Sequence, residues 1–162
     1  MPKKTQEEKL FTSLAGEFAV ASELNRRHVY ASITFGNSKS ADIFAINPHS
    51  RKLAVIEVKS TPEKRWLVGD RATIRANCSK DSFWVLAHIT KPKERIRYFI
   101  LSSEELHYFA VAEGAFYNIS YEERHGKPYT KNGAPGVSMK DILEHEDKWE
   151  KISDFLEIPI KT

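Results

Sequence analysis

Glu17, Asp42, Glu57 and Lys59 are ionisable residues set inside or beside apolar runs. Asp42 heads the run Ile43-Phe44-Ala45-Ile46, and Glu57 and Lys59 interrupt Leu53-Ala54-Val55-Ile56-Val58. Taking a charge out of water costs several kcal/mol, roughly and after relaxation, unless the charge is paired or bound to a metal. Three carboxylates and a lysine suit metal-assisted attack on a phosphodiester. A hard divalent cation such as Mg²⁺ takes oxygen ligands, keeps several waters and needs only one or two carboxylates beside a substrate phosphate. The metal lowers the pKa of a bound water and neutralises charge growing on the phosphorus oxygens. A lysine beside it orients the attacking water or stabilises the transition-state charge.

Each residue also has a plainer reading. Glu17 lies three residues after Leu14 and four before Ala21, on or beside a helical apolar stripe, where a lone glutamate usually snorkels to solvent. Glu57 and Lys59 are two apart on a strand, so both leave the same face roughly 6–7 Å apart. On a half-exposed strand such a pair is a surface ion pair of little worth. Here the opposite face (Ala54, Ile56, Val58) is apolar and so is neighbouring Val55, which argues against a simple solvated strand. Asp42 alone could cap the preceding "NSKS" loop. Mutual repulsion of the three carboxylates is what a metal would relieve.

The surrounding pattern supplies elements to hold these residues. Thr5 with Glu8 forms a capping box, and Leu10, Leu14, Phe18, Ala21 and Leu24 recur at helical spacing, predicting a helix over 6–27 with Arg26, Arg27 and His28 at its C-terminal end. Val29–Phe35 reads as a strand and "GNSKS" as a loop. Asp42–Ile46 and Lys52–Lys59 read as strands joined by a tight connection that pairs Asn47 with Lys52 and sets Asp42 opposite Glu57, on one face. "TPEKRWLVGDR" reads as a loop, 71–79 as a short helix, and Phe83–Ile89 and Ile96–Leu101 as strands around the basic turn "TKPKER". "SSEELHYFAVAEG" opens with a cap and ends in Gly114, predicting a helix. "EERHGKPYTKNGAPGVS" is turn-rich, with "TKNGAPG" a candidate mobile tip, and Ser138 opens a last helical stretch broken once. The fold class is α/β, a mixed sheet of about five strands flanked by helices. The chain reads as a single domain over 1–162, with a core over 6–101 and a helical and loop C-terminal extension over 102–162.

Glu17 in "AGEFAVASEL", Asp42 in "ADIFAI" and Glu57-Val58-Lys59 in "IEVKS" resemble the motifs of the PD-(D/E)XK nuclease superfamily, most closely its Holliday-junction-resolvase-type branch. The resemblance covers roughly residues 10 to 60, with Ala41 in place of the proline before the motif aspartate. It implies a restriction-endonuclease-like core of order αβββαβ and a Mg²⁺- or Mn²⁺-dependent endonuclease-like hydrolase acting on nucleic acid, with DNA favoured over RNA. Glu17, Asp42 and Glu57 would hold the metal and Lys59 would assist catalysis. An inactive nucleic-acid-binding module with the same fold, and a structural domain with a buried Glu57–Lys59 ion pair, stay open as alternatives. Whether the chain forms a homodimer is open too.

Candidate nucleic-acid contacts are Lys64, Arg65 and Trp66, a basic-aromatic run in the loop after the Glu57 strand, with Arg71 and Arg75 on the next helix. Trp84 and Trp149 read as core residues. The mild basicity, net +3 with pI near 8.9, is compatible with a polyanionic partner and proves nothing. The six histidines show no zinc-type spacing, and His145, between Glu144 and Glu146, reads as part of a solvated helix face. No Walker loop or G-x-G-x-x-G appears. One cysteine, Cys78, excludes an internal disulfide framework and suggests a reducing, cytoplasmic setting. No apolar run suits a membrane span or a signal peptide.

Overall fold

A computed structural model of the chain describes residues 5–34, 41–130 and 133–159. The first helix, α1 (Gln6–Arg26), starts at the expected capping box, with Thr5 Oγ1 accepting from the Glu8 N–H and the Glu8 carboxylate accepting from the Thr5 N–H. Strands β1 (Tyr30–Ile33), β2 (Ile43–Ile46), β3 (Leu53–Thr61), β5 (Ser82–His88) and β6 (Arg97–Ser102) form one mixed sheet in the order β1-β2-β3-β5-β6. Among the described residues of this sheet β3 and β5 run parallel and the other pairs antiparallel. A second, two-stranded sheet joins β4 (Arg65–Leu67) to β7 (Gly136–Ser138). Helices α2 (Ser103–His125) and α3 (Glu150–Phe155) complete the elements. No helix among the described residues is long and apolar enough to cross a membrane.

Side-chain alternation on the central strands builds two cores, one on each face of the sheet. Ala54, Ile56 and Val58 of β3 join Phe83, Val85 and Ala87 of β5 and Tyr98 and Ile100 of β6 under α1 and α3. Trp84 and Leu86 of β5 and Phe99 and Leu101 of β6 pack on the other face against Leu106 and Ala110 of α2, Trp66 of β4 and Val137 of β7. That second layer covers β5 and β6 but not β1 and β2, and Tyr30 of β1, Phe44 and Ile46 of β2 and Leu53 at the start of β3 stay exposed. Residues 136–156 are integral to both cores, since Val137, Met139 and Ile142 enter one and Trp149, Ile152 and Leu156 the other.

Several sequence expectations are corrected. The run 71–79 is not a helix but two 3₁₀ turns, Asp70–Thr73 and Arg75–Asn77. It has no side-chain cap and buries only Ala72, so little offsets the cost of nucleating an α-helix. The expected second helix of the αβββαβ order is therefore absent, and the parallel crossover from β3 to β5 is made by β4 and these turns. "TPEKRWLVGDR" is not all loop, because Arg65–Leu67 pairs with Gly136–Ser138. Helix α2 runs through Gly114 to His125 and stops at Gly126, whose φ of 65° provides the left-handed cap. Beyond Ser138 the chain makes two 3₁₀ turns before the six-residue α3. The stripe on α1 is also shifted: Leu10 and Phe18 are exposed, and Gly16, Val20, Ala21 and Leu24 face the sheet. The expected end of β1 at Phe35, the "GNSKS" loop and part of the "TKNGAPG" tip lie outside the described residues.

His145 is not solvated. It is buried against the edge of the Phe109 ring, and its Nδ1 accepts from Lys151 Nζ at 2.7 Å while Lys151 also donates to both Glu105 oxygens. Burial, then the Lys151 charge, holds its pKa below the usual histidine value. The flanking glutamates disguised this: the segment is a 3₁₀ turn that points His145 inward.

Helix α1 meets β3 at Gly16. A Cβ there would stand 1.7 Å from Ser60 Oγ and 2.8 Å from Ser60 Cβ. Gly16→Ala is expected to lower stability in chemical denaturation by about 1–3 kcal/mol, the usual cost of overpacking. Adding Ser60→Gly should return most of the loss; a tolerated Gly16→Ala would show that α1 does not rest on β3 at this point.

Candidate active site

The β2–β3 register is the one the connection length implies, with Ile43 opposite Ile56 and Ile46 opposite Leu53. Asn47 closes the ladder by donating to the Lys52 carbonyl at 3.0 Å, and its Oδ1 accepts from the His49 N–H at 2.9 Å inside the turn. At the other end the Asp42 N–H donates to the Ile56 carbonyl at 3.0 Å, and Asp42 Oδ2 accepts the Val58 N–H at 2.7 Å. The carboxylate thus takes over where backbone pairing ends. A charge-assisted bond of this kind is short and about twice as strong as a neutral one.

Asp42, Glu57 and Lys59 line one open cavity of about 360 Å³, together with Ala41, Val68, Gly69, Asp70, Arg71 and Trp84. The cavity lies at the margin where the second layer stops. Trp84, the β5 partner of Glu57, is buried, and Lys59 Nζ stands 5.9 Å from its ring centroid. A cation over an indole face is attracted by the ring quadrupole. Arg71 NH2 lies 3.2 Å from Glu57 Oε1, with the arginine side chain 51% exposed and the glutamate 14%. A smaller recess of about 20 Å³ between Glu57, Arg71, Cys78 and Ser103 adjoins it. Cys78 Sγ makes a long contact to the Ser103 carbonyl, 3.5 Å.

Glu17 stands at the border of this group. Its Oε1 accepts from Ser13 Oγ at 3.2 Å. Burial first, and then the Asp42 charge, push its pKa above the usual carboxylate value, against the lowering effects of the Ser13 bond and Lys59. Burial likewise raises Glu57; Arg71 and Lys59 oppose this and Asp42 adds to it. The four residues picked out by type and spacing therefore feel one another electrostatically, and three of them share one cavity. Among the described residues, however, no three or more His, Cys, Asp or Glu side chains are arranged to hold one metal ion.

The proposed nucleic-acid contacts divide. Arg71 faces the cavity; Lys64, Arg65, Trp66 and Arg75 do not line it. Trp66 as a base-stacking residue is a correction: it is 1% exposed, its Nε1 donates to the Ala87 carbonyl at 3.1 Å, and its ring meets Phe99 edge-on. An apolar ring in a β-strand over a sheet is core, whatever basic residues precede it. Arg65 lies along Gly136 and bonds Glu113 and the Ala134 carbonyl, so its charge is already engaged in tying β4 to its neighbours. Arg75 is exposed and lies 3.6 Å from Glu104. Lys64 is exposed, and its carbonyl accepts the Met139 N–H. Asp70 is a cavity residue not singled out in the sequence, and Trp84, read there as core, is buried and also part of the cavity wall. The parallel pairing of Glu57 with Trp84 makes the second legible only once β5 is known to lie beside β3.

Comparison of the chain with protein-family models, curated proteins and solved structures finds no match.

A raised carboxylate pKa means that the folded state prefers the protonated form. The associated stability is present below the unfolded-state pKa and is lost as pH rises through the folded-state value. Glu17→Gln keeps an acceptor for Ser13 and removes the charge. In chelator it should raise the melting temperature at neutral pH, with the gain shrinking as pH falls into the carboxylate range. A gain independent of pH, or a loss at neutral pH, would contradict repulsion between Glu17 and Asp42.

Proposed function

We propose that this chain is a metal-dependent phosphodiesterase of nuclease type with a restriction-endonuclease-like core, and that DNA is its preferred polymer. The observation that carries the reading is the convergence of Asp42, Glu57 and Lys59, from two strands, on one open cavity. The preference for DNA rests on the motif resemblance alone.

The donor set fits a hard cation. Mg²⁺ or Mn²⁺ needs one or two carboxylates and completes its shell with phosphate oxygens and water. Asp42 and Glu57 supply two carboxylates, each with acceptor capacity beyond a single hydrogen bond. A cation that meets the protein at Asp42 and Glu57 would complete its shell from phosphate and water, with Glu17 at the border adding negative potential. When bound, the metal would supply an activated water and charge neutralisation at the phosphate.

The chain's own residues do the rest. The Val58 N–H fixes the Asp42 carboxylate, and the rigid β3 backbone holds Glu57 and Lys59 on one face. Lys59 Nζ stands over the indole of Trp84 at the cavity wall. From there the ammonium donates to the attacking water or to a phosphate oxygen, where its charge counts most in the transition state.

The Arg71–Glu57 contact favours a second reading, a structural ion-pair cluster without catalysis. Single-turnover cleavage of single-stranded, duplex, flapped and four-way-junction DNA with Mg²⁺ or Mn²⁺ separates the two, because the structural cluster cuts none of them. For the enzyme, Lys59→Ala should reduce the cleavage rate on the order of a hundredfold while binding changes little. Cleavage at the parent rate by Lys59→Ala would make Lys59 a packing partner of Trp84 and Glu57 only.

A further inference from the structure

We infer that the exposed sheet face beside the cavity, centred on Phe44 and Tyr30, docks the bases of an unpaired nucleic-acid strand. The chain then selects substrates that are open next to the scissile phosphate. This rests on the phosphodiesterase reading of the cavity.

Register puts this face and the cavity on one surface. Tyr30 stands opposite Ile46, and Ile46 opposite Leu53; in the next row Ser32 stands opposite Phe44, and Phe44 opposite Val55. Ile43 and Ala45 fill the core on the α1 side, so Phe44 and Ile46 leave the other side of β2. Leu53, Val55, Glu57 and Lys59 alternate onto that same side of β3, and the position after Val55 in this series is Glu57. The step between them is two residues, roughly 6–7 Å. A strand whose phosphate meets Asp42, Glu57 and Lys59 therefore brings a neighbouring nucleotide over Phe44. The rings are accessible, with Tyr30 64% exposed and Phe44 38%, and Ile46 and Leu53 beside them are exposed too. A contiguous apolar patch of this kind marks a docking surface.

Charge decides what docks there. The two rows are Tyr30-Ile46-Leu53 and Ser32-Phe44-Val55, and none of these six side chains carries a charge to meet a phosphate. A duplex turns its phosphates outward and keeps its base faces stacked inside, so it gains little from such a surface. An unpaired strand lays the faces of its bases on aromatic rings, while its backbone runs on to the ammonium of Lys59. Tyr30 adds a hydroxyl that hydrogen-bonds a base edge while its ring carries the stack. A second copy of the chain seated on these rows would overhang the cavity beside them and obstruct the phosphodiester it must admit.

The test titrates the full chain and its variants, in chelator, into a labelled oligothymidylate and a blunt duplex of the same length, read by fluorescence anisotropy. The parent should bind the oligothymidylate more tightly than the duplex. Tyr30→Ala and Phe44→Ala should each weaken oligothymidylate binding about fivefold to a hundredfold, the range of one lost base stack, and leave duplex binding nearly unchanged. The dependence of affinity on salt should keep the parent's slope, because no phosphate contact is removed. Tyr30→Phe, which keeps the ring, should stay close to the parent. Phe44→Leu, which keeps apolar volume without a ring, should lose affinity like Phe44→Ala and serves if that variant fails to fold. A parent that binds duplex more tightly or binds no oligothymidylate, equal losses on both probes, or a parent dimer that Tyr30→Ala dissociates in sedimentation each overturns the inference. None of these results touches the phosphodiesterase reading, which fails only if the parent cleaves no DNA with Mg²⁺ or Mn²⁺, and the inference then falls with it.

Discussion

One carboxylate oxygen, Asp42 Oδ2, accepts the Val58 N–H where the backbone ladder between β2 and β3 runs out. The bond does two things at once. It satisfies a strand donor that would otherwise face an ending partner strand, which matters because buried or half-buried N–H groups without partners cost about 1–3 kcal/mol. It also fixes a negative charge beside Glu57 and Lys59, whose positions follow from the same register. Slipping β2 by one residue would break the Val58 bond and send Phe44 and Ile46 into the face that Ile43 and Ala45 now fill. The hydrophobic alternation therefore enforces the geometry of the charged residues, with no separate device needed to hold them.

The placement of the charges follows from where the layers end. On the α1 side the sheet is covered from β2 to β6, and the strand residues there are mostly apolar, with Ser60 under Gly16 an exception. On the other side α2, β4 and β7 cover β5 and β6 only. Glu57 and Lys59 sit on β3, the strand at that margin, with Trp84 of β5 on one flank and Asp42 on the other. Partial burial raises the Glu17 and Glu57 pKa values, so the carboxylates cost stability in their charged form. Arg71 and Lys59 offset part of it for Glu57, and Lys59 and Ser13 for Glu17. The two apolar cores must supply the remainder, as stability and a polar cleft usually compete in one domain.

How legible this was in the sequence depended on the range of the interactions. The capping box of α1 is local, and so is the Asn47 turn; both read directly, and the turn carried the register of Asp42 against Glu57 with it. The charged interruptions on β3 were legible because period two leaves no ambiguity about which residues share a face. Nonlocal features were not. Trp66 looks like a loop residue until Val137 of β7, far along the chain, pairs with it and Phe99 meets its ring. His145 sits among glutamates, and only the Lys151 and Phe109 contacts make it a buried residue. On α1 the apolar count misled, because Gly16 and not a large side chain marks the face nearest the sheet.

Gly16 also explains how Glu17, on the opposite layer, comes to the border of the cleft. The helix lies so close to β3 that Ser60 Oγ occupies the space of a missing Cβ. Close approach at Gly16 brings the next residue, Glu17, within electrostatic reach of Asp42 and Lys59. A bulkier residue at 16 would lift the helix and carry Glu17 away from Asp42 and Lys59, lowering its repulsion with one and its attraction to the other. The same substitution thus touches packing and electrostatics together. In this chain the smallest side chain and three charged ones form one unit, in which the glycine sets the distance over which the charges act.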